Sequence, residues 1–289
     1  MSAEQFRVSP YAQLENYPPL SREDIERKWP GYRAAGNVKY GCWAKELIPF
    51  ERYGSLAKRF VDLIAGELQN SATPTLADVG CGNGAGFISG VLKLAESVPE
   101  LNILLSDIQP TALEEAQRLY TSKQNGKEWT LVLVQVDISD IDASQKIILA
   151  NRGEQTDAIV SNNVLPFLTG EKLNRGLHTL QGILKQGGYG FILVCSIYNP
   201  ASIGSTANTK ALEIIHIATD GGKSEQSVAY LVPEMDGAIL TFFTMPSFRK
   251  ILEDSSFEVM VLEGSYNSRL RNGLGDEYPE HYYAIVKKK

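Results

Sequence analysis

The sequence is poor in several features that would mark particular protein classes. Cysteine occurs three times in 289 residues, at Cys42, Cys81 and Cys195, with no CxxC pair. That is too few for a disulfide framework, and the expectation is a reducing compartment and no metal site. Basic residues are in deficit, with 28 Lys and Arg against 34 Asp and Glu and a formal net charge of −6. Binding through phosphates needs a concentrated basic surface, so no nucleic-acid partner is expected. The dense basic run Lys287-Lys288-Lys289 reads as a solvated tail. No apolar run reaches the length of a membrane-spanning helix. The opening MSAEQFRVSP lacks the basic and apolar regions of a signal peptide. A cytoplasmic protein with no membrane partner is the expectation. Internal repeats and low-complexity tracts are also missing.

What remains is ordinary for a soluble globular chain: 43% hydrophobic and 21% charged residues. The length suits one large domain, or one domain with a lid, and buries a core without staples. Residues 1–54 stand apart. They hold Phe6, Tyr11, Tyr17, Trp29, Tyr32, Tyr40, Trp43, Phe50 and Tyr53 with little periodicity, which reads as an aromatic-rich cap. From Ser55 onward, helical and strand patterns alternate. Leu56, Phe60, Leu63, Ile64 and Leu68 form a helical stripe, TLADVG is a short strand, and Phe87 to Ala95 is a second helix. LNILLSD (101–107), TLVLVQVD (130–137), TDAIVSN (156–162) and YGFILVCS (189–196) read as further strands. Pro110 opens one intervening helix, whose apolar face is Leu113, Ala116 and Leu119. Leu173, Leu177, Leu180 and Leu184 stripe another, ended by Gly187-Gly188. Apolar strands that alternate with helices predict a parallel sheet covered on both faces.

The alternation breaks at 197–210, read as a long loop, with a helix expected over 211–221. SVAYLV and AILTFF are expected to pair as a hairpin across Pro233–Gly237. A helix from Pro246 to Glu253, the strand FEVMVLE (257–263) and the strand HYYAIVKK (281–288) complete the chain.

The most informative segment is Asp78-Val79-Gly80-Cys81-Gly82-Asn83-Gly84, where a strand gives way to a helix. Glycines there let a ligand approach the backbone, and open α/β sheets bind ligands at strand carboxyl ends. Gly80-x-Gly82-x-x-Ala85 satisfies the dinucleotide fingerprint. Asp78, however, is a poor neighbour for a pyrophosphate and a good one for an ammonium group. Asp107 also lies farther along than the roughly 20 residues that fingerprint expects. A P-loop fails, because no Gly-Lys-Ser/Thr follows.

Asp107 ends the second strand and can accept from both hydroxyls of a ribose. Asp137 ends the third and can accept from an adenine amino group. Ile108 and Ile138 follow these acids and are placed to sandwich a base. Asn162 and Asn163 end the fourth strand. Any one of these acids alone reads equally well as a helix N-cap. The ordered set puts polar groups at four successive strand ends.

This set resembles the class I S-adenosylmethionine-dependent methyltransferases. The matching pieces are LADVGCGNGAG, LLSDI, VQVDIS, TDAIVSNNVLPFL, LKQGGYGFILV, MPSFRKILEDSSFEVMVLE and HYYAIVKK, and the likeness spans roughly residues 55–289. It implies an α/β, Rossmann-like, doubly wound seven-stranded sheet of order 3-2-1-4-5-7-6, strand 7 antiparallel. An N-terminal cap and an acceptor-side insertion over 197–245 would be added. It implies S-adenosylmethionine as cofactor. Asp78, Gly80, Cys81, Gly82 and the loop to Gly84 would line its methionine part. Asp107 would hold the ribose, Asp137 and Ile138 the adenine, and Asn162 the sulfonium side.

The expected reaction moves the methyl group to an O, N or S atom of a small metabolite and releases S-adenosylhomocysteine. The alternatives are a protein or RNA acceptor, or a fold relative that binds the cofactor without transfer. SNN at 161–163 lacks the Asn-Pro-Pro-aromatic signature of methyltransferases acting on nucleic-acid bases, which weakens that role. Tyr40 and Trp43 are placed to pack on the cofactor or face a sulfonium through cation–π attraction, or simply to glue the cap down. His216 and Tyr198 follow strand five and are the candidate catalytic groups, with a hydrogen-bonded helix histidine as the bland alternative for His216. His178, within a helical stripe expected to be buried, and His281, at a strand start, read as structural. Cys81 reads as a small residue among glycines, not a nucleophile. The chain is expected to be a monomer or homodimer.

Overall fold

The protein is described by a computed structural model covering residues 54–98, 100–124, 126, 129–196, 227–232, 238–265 and 281–289. Tyr40, Trp43, Tyr198 and His216, the cap, the 197–210 loop and the 211–221 helix lie outside the described residues.

The chain opens on α1 (Gly54–Gln69) and enters β1 (Thr75–Val79). Then follow α2 (Ile88–Leu94), β2 (Leu101–Asp107), α3 (Pro110–Lys123) and β3 (Trp129–Gln135). Next are α4 (Ala143–Ala150), β4 (Thr156–Asn162), a 3₁₀ turn at Leu165–Phe167, α5 (Glu171–Ile183) and β5 (Leu184–Cys195). A hairpin of β6 (Val228–Val232) and β7 (Ala238–Phe242) precedes α6 (Met245–Asp254), β8 (Phe257–Ser265) and β9 (His281–Lys288). The main sheet has seven strands in the order β3-β2-β1-β4-β5-β9-β8. Its first five strands pair in parallel, and β9 runs antiparallel to both β5 and β8. This is the 3-2-1-4-5-7-6 arrangement expected, with the hairpin inserted before the last two strands. No described helix is long and apolar enough to cross a membrane.

Strand alternation sorts the core onto two faces. Leu76, Ile103, Leu105, Val160, Phe191, Leu193 and Ile285 pack on one face beneath Phe60, Ile64 and Leu68 of α1. Ala77, Leu104, Ile159, Ile192, Val194 and Val286 pack on the other beneath Leu177 and Leu180 of α5 and Phe248 of α6. Ring contacts join the first face across elements, Phe60 to Phe191 at 5.4 Å and Phe191 to Tyr283 at 6.2 Å.

Three expectations need correction. Leu63 is exposed, and Val61 takes the inward place beside Phe60 and Ile64. His178 is exposed on α5, not in a buried stripe. The helix also ends earlier than the Leu stripe implied. It stops at Ile183, and Leu184 already pairs with Thr156 as the first residue of β5. The register then shifts, so that Ala158 meets Tyr189, and the Gly187-Gly188 pair lies inside the strand at that irregularity. A Cβ on Gly188 would stand 2.8 Å from the Asp157 carbonyl oxygen, so only glycine lets the backbone turn there.

Candidate functional site

Parallel strands end together, so the five parallel strands present their last residues along one edge. Asp78 pairs in register with Leu105 of β2 and Val160 of β4. Asp107, two residues past Leu105, therefore points to the same face of the sheet as Asp78. Both carboxylates are almost fully buried, at 3% and 2% exposure. Between them passes the glycine loop. It is tied to β2 by hydrogen bonds from the Gly80 and Cys81 amides to the Ser106 carbonyl, at 2.7 and 2.9 Å.

Asp107 organises this loop. One carboxylate oxygen accepts from the Gly82 amide and the other from the Gln109 amide, each at 2.9 Å. The carboxylate keeps acceptor capacity for a ligand hydroxyl. Burial raises its pKa, while the Gln109, Gly82 and Ile108 amides pull the other way. Asp78 is pushed up to about 7, first by burial and then by the Asp107 charge. Burial also pushes up the Cys81 thiol, followed by Asp78 and Asp107. This argues against a thiolate at neutral pH.

The loop glycines differ in what they allow. Gly80, Gly82 and Gly84 all have positive φ, at 70°, 53° and 76°. A Cβ on Gly80 would stand 2.2 Å from Val164 Cγ2, and one on Gly84 would stand 2.7 Å from Tyr120 Cε2. A Cβ on Gly82 would meet nothing within 4 Å, so the backbone there borders open space. Tyr120, on α3, is fully buried with no partner for its hydroxyl. Its pKa is raised by burial and then by Asp78 and Cys81, which puts the phenol within the field of Asp78.

Farther along the edge, Asp137 accepts from the Ser139 amide and hydroxyl through one oxygen, at 2.8 and 2.7 Å. Its other oxygen takes part in neither bond. Ile108 is half-buried, and its carbonyl accepts from Gln135 Nε2 at 3.3 Å. Ile138 is turned into the core against Leu168 and α5, and its carbonyl accepts from the Thr179 hydroxyl at 2.8 Å. The two isoleucines thus do not stand as a matched pair. Asn162 Nδ2 lies 2.9 Å from where a Cβ on Gly86 would be, so this amide covers the end of the glycine loop.

The neighbouring Asn163 was not assigned a role in the sequence, yet the structure places it at the same edge. It has a positive φ of 57°, is buried, and accepts from the Cys195 thiol at 3.6 Å. Cys195 pairs across strands with His281, which is buried and pushed down to about 4. The β6–β7 hairpin continues this end of the sheet. Ser196 bridges Phe243, the Phe243 amide donates to the Cys195 carbonyl at 3.2 Å, and the Thr241 hydroxyl donates to the Leu168 carbonyl at 2.7 Å. Tyr120 was also missed, although Leu113, Ala116 and Tyr120 recur at helical spacing.

Residues 77–189, from the middle of β1 into β5, match the family model of a methyltransferase domain. This segment of the chain is a methyltransferase domain. No curated protein matches this chain in sequence. Among solved structures it is similar in fold to an S-adenosylmethionine-dependent methyltransferase from Clostridium acetobutylicum, with 14% identity and a TM-score of 0.52. That likeness covers 86% of this chain and 99% of the other. An O-methyltransferase family protein from Burkholderia thailandensis is similar at 13% identity and a TM-score of 0.52, over 99% of this chain and 69% of that one. The N-methyltransferase NodS from Bradyrhizobium japonicum, solved with S-adenosyl-L-homocysteine, is similar at 15% identity and a TM-score of 0.50, over 90% and 98%.

The residues at the edge fit S-adenosylmethionine, the cofactor that the sequence resemblance implies. Open backbone at Gly82, remaining acceptor capacity on Asp107 and an orphaned buried phenol at Tyr120 are polar provision that the protein itself leaves unused.

Proposed function

We propose that this methyltransferase acts on an O, N or S atom of a small metabolite, at the carboxyl edge of its sheet. The observation that carries this reading is the division of that edge. Buried acids and open glycine backbone occupy β1 and β2, while neutral polar groups beneath a docked hairpin occupy β4 and β5. An enclosed neutral wall suits a small acceptor. The net charge of −6 opposes an RNA acceptor.

When bound, the cofactor supplies a methyl group on a sulfonium, and S-adenosylhomocysteine leaves. The chain's own residues then bind, orient and exclude water. Asp107 holds the ribose hydroxyls through its carboxylate oxygens. Gly80, Cys81 and Gly82 give backbone access to the methionine part, and Asp78 supplies the negative charge beside it. Asp137 accepts from the adenine amino group through its unengaged oxygen, Ile108 flanks the base, and Ile138 supports that wall from the core side. Asn162, lying over Gly86, bounds the sulfonium side. The β6–β7 hairpin, within the proposed 197–245 insertion, walls the acceptor against β5. The proposed cap over 1–54, with Tyr40 and Trp43, covers the cofactor, and His216 and Tyr198 are the proposed groups beside the acceptor. In-line displacement needs the acceptor atom held about 3 Å from the methyl carbon, so most of the catalysis is positioning.

The test is transfer from methyl-labelled cofactor. The protein is incubated with the low-mass and macromolecular fractions of one cell extract. Label is expected in the low-mass fraction, with an equal amount of S-adenosylhomocysteine. Label confined to protein or RNA would overturn the acceptor class.

A further inference from the structure

The charge balance at the glycine loop is incomplete. Asp78 and Asp107 are buried on one face of adjacent strands. Asp107 is met by the backbone amides of Gly82, Gln109 and Ile108. Among the described residues, the titratable groups that face Asp78 are Asp107 from β2, Cys81 from the loop and Tyr120 from α3, and every one is an acid. From β4, the other strand beside β1, come Val160 and Asn162, which carry no charge. The charged residue of α2, Lys93, is exposed and lies 3.9 Å from Asp62. Among the described residues, no Lys, Arg or His offsets Asp78. Tyr120 adds a second observation, because its hydroxyl is fully buried against this loop without a partner.

Two buried carboxylates that feel each other's charge do not both ionise readily without a cation. A cofactor that carries an α-ammonium group provides one. We propose that Asp78 reads the aminoacyl end of the cofactor by exchanging a proton held on the Asp78–Asp107 pair for the ligand's ammonium group. The inference rests on placing the cofactor at the glycine loop. The exchange balances without any bond to carbon changing. The protonated Asp78 carboxyl gives its proton to solvent, and the resulting carboxylate pairs with the incoming ammonium. The raised value near 7 sets the window, since the free pair then holds about half of that proton at pH 7 and nearly all of it below about pH 6. Selectivity follows as well. Nucleosides with the amino-acid arm gain the exchange, and truncated thioether nucleosides do not.

The test is titration calorimetry of the full chain with S-adenosylhomocysteine, at pH 7, in buffers of different ionisation enthalpy. About half a proton per ligand should be released, and affinity should be roughly eightfold higher at pH 7.5 than at pH 6. 5′-Methylthioadenosine, the same nucleoside thioether without the amino acid, should bind with no release and no pH dependence in that range. Asp78→Asn should abolish the release with S-adenosylhomocysteine. If that variant does not fold, the two ligands on the native chain still decide. Tight S-adenosylhomocysteine binding with buffer-independent heat overturns the proposal, as does equal proton release by methylthioadenosine. Absence of any S-adenosylhomocysteine binding, by heat and by thermal shift, instead overturns the cofactor placement beneath it.

Discussion

The two halves of the sheet's carboxyl edge are built on opposite electrostatic plans. At β1 and β2 the tips are carboxylates, and the loop between them has positive φ at Gly80, Gly82 and Gly84. At β4, β5 and β9 the tips are neutral: Asn162, Asn163, Cys195 and His281. The first half keeps negative charge in a dry place, which is costly without a cation. The second half avoids charge. Burial pushes His281 down to about 4, so it is neutral at physiological pH, and the Cys195 thiol spends its proton on Asn163. Under the proposed function, the acidic half would meet the cationic cofactor, and the neutral half beside it would not compete for that charge.

The largest effect that would break this contrast concerns Asp78. Its folded pKa lies near 7, against about 3.9 for an unfolded aspartate. Between those values the folded state binds more protons, so the free protein loses stability as pH rises through the window. Asp78→Asn removes that penalty. The variant should be more stable than the native chain at pH 8, by at most about 4 kcal/mol, with the gain vanishing near pH 4. Urea unfolding at both pH values measures it. A variant no more stable at pH 8 would mean that the carboxylate is not confined as described.

His281 titrates with the opposite sign. Its folded pKa of about 4 lies below an unfolded histidine near 6.5, so the unfolded state binds more protons in between. Stability is whole above pH 6.5 and falls as pH drops toward 4, by up to about 3 kcal/mol. In His281→Gln this part of the acid limb should flatten. The slope of stability against pH is the readout, because the glutamine can shift the absolute level for unrelated reasons. An unchanged slope would show that His281 is solvated at low pH.

Asp107 sharpens the contrast from the ligand side. Asp107→Ala leaves the Gly82 and Gln109 amides unpaired and removes the proposed ribose acceptor. S-adenosylhomocysteine affinity should fall by roughly 1–3 kcal/mol, about five- to more than a hundredfold. Calorimetry that finds native affinity would remove Asp107 from the cofactor.

How much of this was legible in the sequence depends on the range of the signal. Strand ends were legible because each acid or asparagine closes an apolar run, as in LNILLSD and TDAIVSN, and the order β3-β2-β1-β4-β5-β9-β8 accords with the resemblance those pieces carry. The passage from α5 to β5 was not, because Leu184 continues the leucine spacing while already pairing with Thr156. The inward turn of Ile138 was not legible either, because a residue just past a strand end has no periodicity to fix its direction. The coupling of Asp78 to Asp107 was illegible for a different reason. It arises from strand register and burial, which only tertiary packing sets.

The smallest effect distinguishes two glycines of the same loop. Gly80→Ala meets both a positive φ and Val164 at 2.2 Å, so it should lower stability. Gly82→Ala meets only the backbone cost of φ 53°, about 1 kcal/mol, because nothing stands within 4 Å of the new methyl. That methyl enters the space where the methionine part of the cofactor is proposed to lie. Gly82→Ala should therefore melt within a few degrees of the native chain yet bind S-adenosylhomocysteine more weakly. Gly80→Ala should lose stability first. If Gly82→Ala bound the ligand with native affinity, the open space beside Gly82 would belong to solvent, and the ligand would have to approach the acids from another side.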